Sequence, residues 1–196
     1  METIRGKTSR DLDLNELQDR LKNYNRIHLD LGTGDGRYVH SLAQRFPADF
    51  IIGLDSCREN LHEHSRAKLD NMLFVISNAQ CLPQELNGLI SHIHINFPWG
   101  SLLESLLCSD PGLMRGLQKV ATSKVFMDVH LNGGALAQAG YTLENGADRI
   151  YYNLLHFGWR VHAPRWMDAE DLQTFPTTWA RRLAHGRDSR AMSIHV

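Results

Sequence analysis

Short apolar runs alternate along the chain with longer stretches in which apolar positions recur every three or four residues. The first pattern marks buried strands and the second marks amphipathic helices. Residues 14–23 read as a helix, followed by a strand over Arg26–Leu31. Gly36–Phe46 carries Tyr38, Leu42 and Phe46 at near-helical spacing and predicts a second helix. Phe50–Leu54 is a buried-type strand. Ser56 with Glu59 three residues on has the form of a capping box, and predicts a helix to about Leu69. Met72–Ile76, Leu89–Ile95 and Lys124–His130 read as further strands. Asp148–Phe157 predicts a helix, Gly158–Trp166 a strand, and Ser189–Val196 a short alternating terminal strand. The last two strands can pair antiparallel at the edge. Gly and Asn around 132–146 suggest a flexible connector. Strands alternating with helices in this way indicate an α/β fold with a mostly parallel sheet and an antiparallel terminal strand.

Length and charge sharpen this picture. At roughly 100–200 residues per domain, residues 1–196 form a single domain, able to bury a core without disulfide or metal staples. The formal net charge of −1 excludes a histone-like binder of nucleic acid by bulk charge. The charge is uneven, however. Residues 1–100 carry 11 Lys/Arg against 13 Asp/Glu, whereas in the last twenty residues Arg181, Arg182, Arg187 and Arg190 face only Asp188. A neutral total thus hides a basic tail. Cys57, Cys81 and Cys108 are widely spaced and form no CxxC pair, so reduced thiols of an intracellular protein are expected, and no zinc site. The polar N-terminus has no signal-peptide character, and no apolar run reaches the roughly 18–20 residues of a membrane span. A soluble, cytoplasmic protein with no membrane partner is expected.

The chemistry concentrates in a few segments. Asp30-Leu-Gly-Thr-Gly-Asp-Gly-Arg37 follows the first predicted strand and opens a helix. Gly32, Gly34 and Gly36 allow a tight turn and close approach of backbone to a ligand. Asp55 ends the next strand, 19 residues after Gly36, where a carboxylate can accept both hydrogen bonds of a ribose diol. These features indicate a nucleoside cofactor. A dinucleotide fingerprint would need GxGxxG, but its third glycine falls on Arg37 in one register and on Val39 in the other. Asp30 would also sit badly beside a diphosphate and suits a cationic group, such as the amino group of a methionine moiety. The D-x-G-x-G-x-G pattern with its later acid resembles class I S-adenosylmethionine-dependent methyltransferases. In that group the loop after the third strand, here Ser77–Pro83, carries a polar side chain against the cofactor adenine. Gln80 is the candidate, backed by Ala79.

After the fourth predicted strand comes Asn96-Phe-Pro-Trp99-Gly-Ser101. A tryptophan between Pro and Gly is a poor core residue and offers a flat face for a base. A second aromatic, Trp179, precedes Arg182 and Arg187. DLGTGDGR, NFPWGSLL and TTWARRLAHGR, in that order, resemble the aminoglycoside-resistance 16S ribosomal RNA adenine-N1 methyltransferases of the Kam/Npm type. The similarity runs from about residue 5 to the end. It implies methylation of N1 of adenosine 1408 in the decoding site of the 30S subunit, with S-adenosylmethionine as methyl donor. It implies stacking of the target base between Trp99 and Trp179. It implies cofactor contacts at Asp30, Gly32, Thr33, Gly34, Asp55, Ala79, Gln80, Ser101 and Thr177, and RNA contacts at Arg182, Arg187, Arg190, Arg66 and Lys68. A monomer is expected.

The chain departs from the pattern in places. The family's acid in the adenine loop is Gln80, a basic position near the C-terminus is Ser189, and residues 125–148 contain no Lys or Arg. Adenine N1 already carries a lone pair, so His130, His156, His162 and His185 are read as structural or surface residues rather than as a base. Three alternatives stand beside this reading. A tRNA guanine-N7 methyltransferase would continue its Asn-Phe-Pro loop with Asp-Pro-Trp, which is absent here. A small-molecule methyltransferase would need no basic tail. A non-catalytic S-adenosylmethionine-binding protein would need no paired tryptophans.

Overall fold

A computed structural model of the chain describes residues 1–177, 180 and 190–196. The chain opens with a hairpin, β1 (Glu2–Arg5) and β2 (Thr8–Asp11). Then come α1 (Leu14–Leu21), β3 (Ile27–Leu31), α2 (Arg37–Arg45), β4 (Phe50–Asp55), β5 (Met72–Ile76) and β6 (Ile90–Asn96). The second half holds α3 (Gly100–Cys108), α4 (Pro111–Val120), β7 (Ala121–Asn132), α5 (Gly133–Gln138), α6 (Leu143–His156), β8 (Arg165–Met167), α7 (Ala169–Thr174) and β9 (Ala191–His195). Among the described residues the strands form one sheet in the order β2-β1-β5-β4-β3-β6-β7-β9-β8. The five central strands, β5-β4-β3-β6-β7, are parallel. β1 pairs antiparallel at one side, and β9 at the other, with β8 antiparallel to β9.

Period-two alternation gives the sheet two unlike faces. Leu29 and Leu31 of β3, Ile93 and Ile95 of β6, and Val129 and Leu131 of β7 point into the main core, with apolar residues of α1, α3, α4 and α6. On the opposite face, α2 presses Val39 and Ala43 onto Ile51 and Phe74. Next to that contact, the same face of β3, β6, β7 and β9 carries His28, Asp30, His92, His94, Asn96, Asp128, His130, Ser193 and His195. The chain therefore has one oily sheet face and one polar, histidine-rich one.

Several expectations are corrected. The helix expected over 56–69 is absent; two short 3-10 turns, Arg58–His62 and His64–Arg66, take its place. Ser56 and Glu59 form no capping box there. Instead Asp55 Oδ1 accepts from the Cys57 N–H (2.8 Å), which starts the turn early. The segment then packs on the hairpin, with Gly6 N–H donating to Ser65 Oγ (2.8 Å). The flexible connector around 132–146 is ordered: Asn132 caps α5 by accepting from Ala135 N–H, and Thr142 caps α6 by accepting from Asn145 N–H. Helix α6 therefore begins at Leu143, five residues before the expected Asp148. The strand expected over 158–166 is confined to Arg165–Met167. Hairpin β1–β2 and helices α3 and α4 are additions that the pattern did not reveal.

Candidate active site

The parallel strands end together at one edge, and β3 lies where the strand order reverses, between β4 and β6. A crevice forms at such a switch point because the connections leave β3 and its neighbour toward opposite faces. Here it is a cleft of about 520 Å³. The glycine loop makes its floor. Gly32 N–H and Thr33 N–H both donate to Leu54 O (2.8 and 3.0 Å), which clamps the loop to the end of β4. Gly36 turns into α2 with φ 76°, and a Cβ there would stand 2.5 Å from the Phe74 ring. Gly34 is left-handed too (φ 57°), with open space where a side chain would be. Its N–H donates to Asp55 Oδ2 (2.9 Å), so the acid at the end of β4 is held on the loop.

Asp30 is buried (2% exposed) on the polar sheet face and lines the same cleft. Burial pushes its carboxyl up to about 7; the Asn96 hydrogen bond and the neighbouring Thr33 hydroxyl oppose the shift, and Asp55 and Asp35 reinforce it. Asn96 Nδ2 donates to Asp30 Oδ1 at 2.9 Å. The opposite wall is the loop after β6. Phe97 is buried in the left-handed region (φ 52°). Its N–H donates to His130 O (2.8 Å), and its ring meets Phe175 edge-on at 5.6 Å. With Phe97 anchored, Pro98 and Trp99 reach the cleft, and Trp99 remains 43% exposed. Ser101, in the first turn of α3, and Thr177 complete the rim.

Of the expected cofactor residues, the cleft thus gathers Asp30, Gly32, Thr33, Gly34, Asp55, Ala79, Ser101 and Thr177, together with Trp99. Gln80 is not brought to it. Its amide turns to α3, where Nε2 donates to Ser105 Oγ at 2.7 Å, so Ala79 is what this loop presents to the cleft. Arg66 and Lys68 are exposed beside the hairpin, where Arg66 lies over Gly6. Arg190 is exposed just before β9. Trp179, Arg182, Arg187 and Ser189 lie outside the described residues. The sequence reading missed Asn96, Tyr38 and Asn60 as cleft residues. Asn96 stood within the quoted loop, but its partner Asp30 is 66 residues away in sequence.

These residues fit S-adenosylmethionine. The buried Asp30 carboxyl, raised by desolvation, is a site where a ligand ammonium would be favoured. Asp55 spends one lone pair of each oxygen on a backbone N–H, and its others can accept from a ribose diol. Leu102 and Ala79 offer apolar surface for a purine.

The parallel core with β9 inserted antiparallel before β8, and the cleft at the switch point, define a class I S-adenosylmethionine-dependent methyltransferase. The sequence model of the NpmA family, described as 16S rRNA (adenine(1408)-N(1))-methyltransferase, matches residues 2–196. A protein of that name from Escherichia coli is 30% identical over 205 residues, covering 94% of this chain and 92% of its own. One from Streptoalloteichus hindustanus is 28% identical over 204 residues, covering 96% and 94%. The solved structure of the 16S rRNA methyltransferase KamB is 27% identical with a TM-score of 0.89, over 100% of this chain and 98% of that one. An antibiotic-related methyltransferase is 30% identical with a TM-score of 0.84, over 99% and 98%. The chain belongs to the 16S rRNA (adenine(1408)-N(1))-methyltransferase family.

Proposed function

We propose that this chain methylates N1 of adenine 1408 in 16S rRNA within the 30S subunit, working as a monomer in the cytoplasm and protecting the ribosome from aminoglycosides. The observation that carries the reading is the shared cleft. Asp55, hydrogen-bonded to the glycine loop, and the exposed Trp99 line one cavity, which supports a nucleoside site and a base-stacking face within reach of each other.

Bound S-adenosylmethionine supplies an electrophilic methyl group on a sulfonium. The protein's part is binding and alignment. Asp30 takes the ammonium end, Asp55 the ribose diol, and Ala79 with Leu102 the purine. Adenine N1 lies on the Watson–Crick edge, so the target must leave its stack. Trp99 and Trp179 hold the extruded base, and their π faces favour the positive charge that develops on it. The N1 lone pair attacks directly and no proton has to be removed, so rate enhancement comes from orientation. Arg182, Arg187 and Arg190 grip phosphates, with Arg66 and Lys68 as a second contact on the hairpin side, which makes binding salt-dependent.

The pair Trp99→Ala and Trp179→Ala tests this. Each variant is expected to bind S-adenosylmethionine as the unaltered protein does by calorimetry, yet to lose methylation of 30S subunits and protection against kanamycin and apramycin. Parallel loss of cofactor binding would make the tryptophans packing residues instead.

A further inference from the structure

The mechanism above leaves the histidines idle, yet one of them lies two hydrogen bonds from the cofactor acid. Asn96 and His130 are register partners on the adjacent strands β6 and β7. Asn96 donates from Nδ2 to Asp30 Oδ1 (2.9 Å), and its Oδ1 lies 2.9 Å from His130 Nδ1. Because the NH₂ end of the amide is committed to Asp30, the Oδ1 end must accept, and His130 must be the Nδ1–H tautomer. Flipping the amide would set two acceptors face to face at the Asp30 carboxylate. Meanwhile His130 O accepts from the N–H of Phe97, the left-handed residue two before Trp99. Phe175, two residues before Thr177, meets the His130 ring edge-on at 4.6 Å. One buried residue therefore touches the supports of both cleft walls.

We propose that His130 is a positioning residue: through Asn96 it holds Asp30 as an acceptor for the cofactor ammonium. The relay opposes the desolvation that favours protonated Asp30. The groups facing Asp30 are Thr33 and Asn96, which favour the carboxylate, Asp35 and Asp55, which disfavour it, and Tyr38 from α2. The groups facing His130 are Asp128, His195, Arg165, Asp171 and His94. Burial dominates there and keeps the imidazole neutral, at about 4, so the Nδ1–H donor persists through the neutral range.

The inference rests on the cofactor half of the proposed function, not on the RNA half. Calorimetry of S-adenosylmethionine binding across the neutral range is the test, with three variants. His130→Leu removes the donor and is expected to weaken binding by up to about tenfold, the upper worth of one neutral hydrogen bond, and to move the pH midpoint of binding upward. His130→Asn, which can place an N–H near the position of Nδ1–H, is expected to recover most of both. Asn96→Leu, which also removes the direct hydrogen bond to Asp30, should cost at least as much as His130→Leu, and the double variant should equal Asn96→Leu, since His130 acts through Asn96. Unaltered affinity and pH profile in His130→Leu, or losses that add in the double variant, would overturn the proposal. Two readouts need no cofactor. Side-chain ¹⁵N spectra of the unaltered protein should place the His130 proton on Nδ1, and a proton on Nε2 would refute the relay even if the variants do not fold. The Asp30 carboxyl should titrate higher in Asn96→Leu, and an unmoved titration would count equally against it. An unaltered protein that binds no S-adenosylmethionine would sink the proposed function, while the spectra would still decide the relay.

Discussion

Asp30 meets two opposed demands. Folding buries its carboxyl, which favours the protonated form, and binding a cationic ligand needs the carboxylate. Its pKa, raised to about 7, is the physical trace of that conflict. The sign of its contribution follows. The folded state holds a proton on Asp30 that the unfolded chain has released, so this group costs stability progressively as pH rises from about 4 to about 7. Asp30→Asn removes the cost while keeping an acceptor for Asn96. It is expected to stabilise the protein by on the order of 4 kcal/mol at alkaline pH, with a gain that shrinks on acidification. The same variant should bind S-adenosylmethionine weakly. Urea unfolding and calorimetry on one preparation check both halves; a variant that is less stable than the unaltered protein at alkaline pH would contradict the assignment.

Strands β3, β6 and β7 carry the same conflict in an extended form, because their polar face stacks ionisable groups where a core would place aliphatic ones. His28 Nδ1 and His94 Nε2 share a hydrogen bond (3.0 Å), and the Tyr38 hydroxyl lies 3.3 Å from His94 Nδ1. Burial lowers His28 and His130 to about 4 and His94 to about 3, from 6.5. The unfolded imidazoles take up protons near 6.5 and the folded ones do not, so this contribution is complete above 6.5 and is lost as pH falls toward 4. Three histidines outweigh the single opposing Asp30. The urea midpoint is expected to fall steadily below pH 6.5, and more steeply in Asp30→Asn; a midpoint flat across that window would contradict the buried neutral ladder.

Elements of this kind also set what could be read from the chain. Strands β4 and β5 were legible because burial on both sides makes them continuous apolar runs, and β3, β6 and β7 because apolar positions alternate with polar ones. Helix α3 sets Leu102, Leu103, Leu106 and Leu107 at helical spacing opposite exposed Ser101, Glu104 and Cys108, but its nine residues lie directly behind a Pro-Trp turn and give only a short signal. The hairpin was hidden by its polar strands, ETIR and TSRD. The segment 56–69 carried a local helix signal but had to run from the end of β4 to the start of β5 against the hairpin, and tertiary contacts prevailed over propensity. Within the site, the glycine loop, Asp55 and Trp99 were legible as local motifs. The relay Asp30–Asn96–His130 was not, because it exists only through the pairing of three strands distant in sequence.

A net charge of −1 spread over a cofactor-binding sheet explains how such a chain can act on RNA without binding it indiscriminately. The cleft itself is acidic, lined by Asp30, Asp35 and Asp55, which suits a cationic cofactor and repels phosphates from the floor. Basic residues stand apart from it, on the hairpin side and before β9. On the proposed function, recognition of the ribosome rests on several weak phosphate contacts set around one base pocket, and free RNA lacking that arrangement should be a poor substrate. Primer extension on 16S rRNA from intact 30S subunits, after incubation with the protein and S-adenosylmethionine, tests this most directly. The expected result is a new stop at adenine 1408, dependent on cofactor and absent with protein-free rRNA or tRNA. A normal read through that position, or a stop at another base, would contradict it.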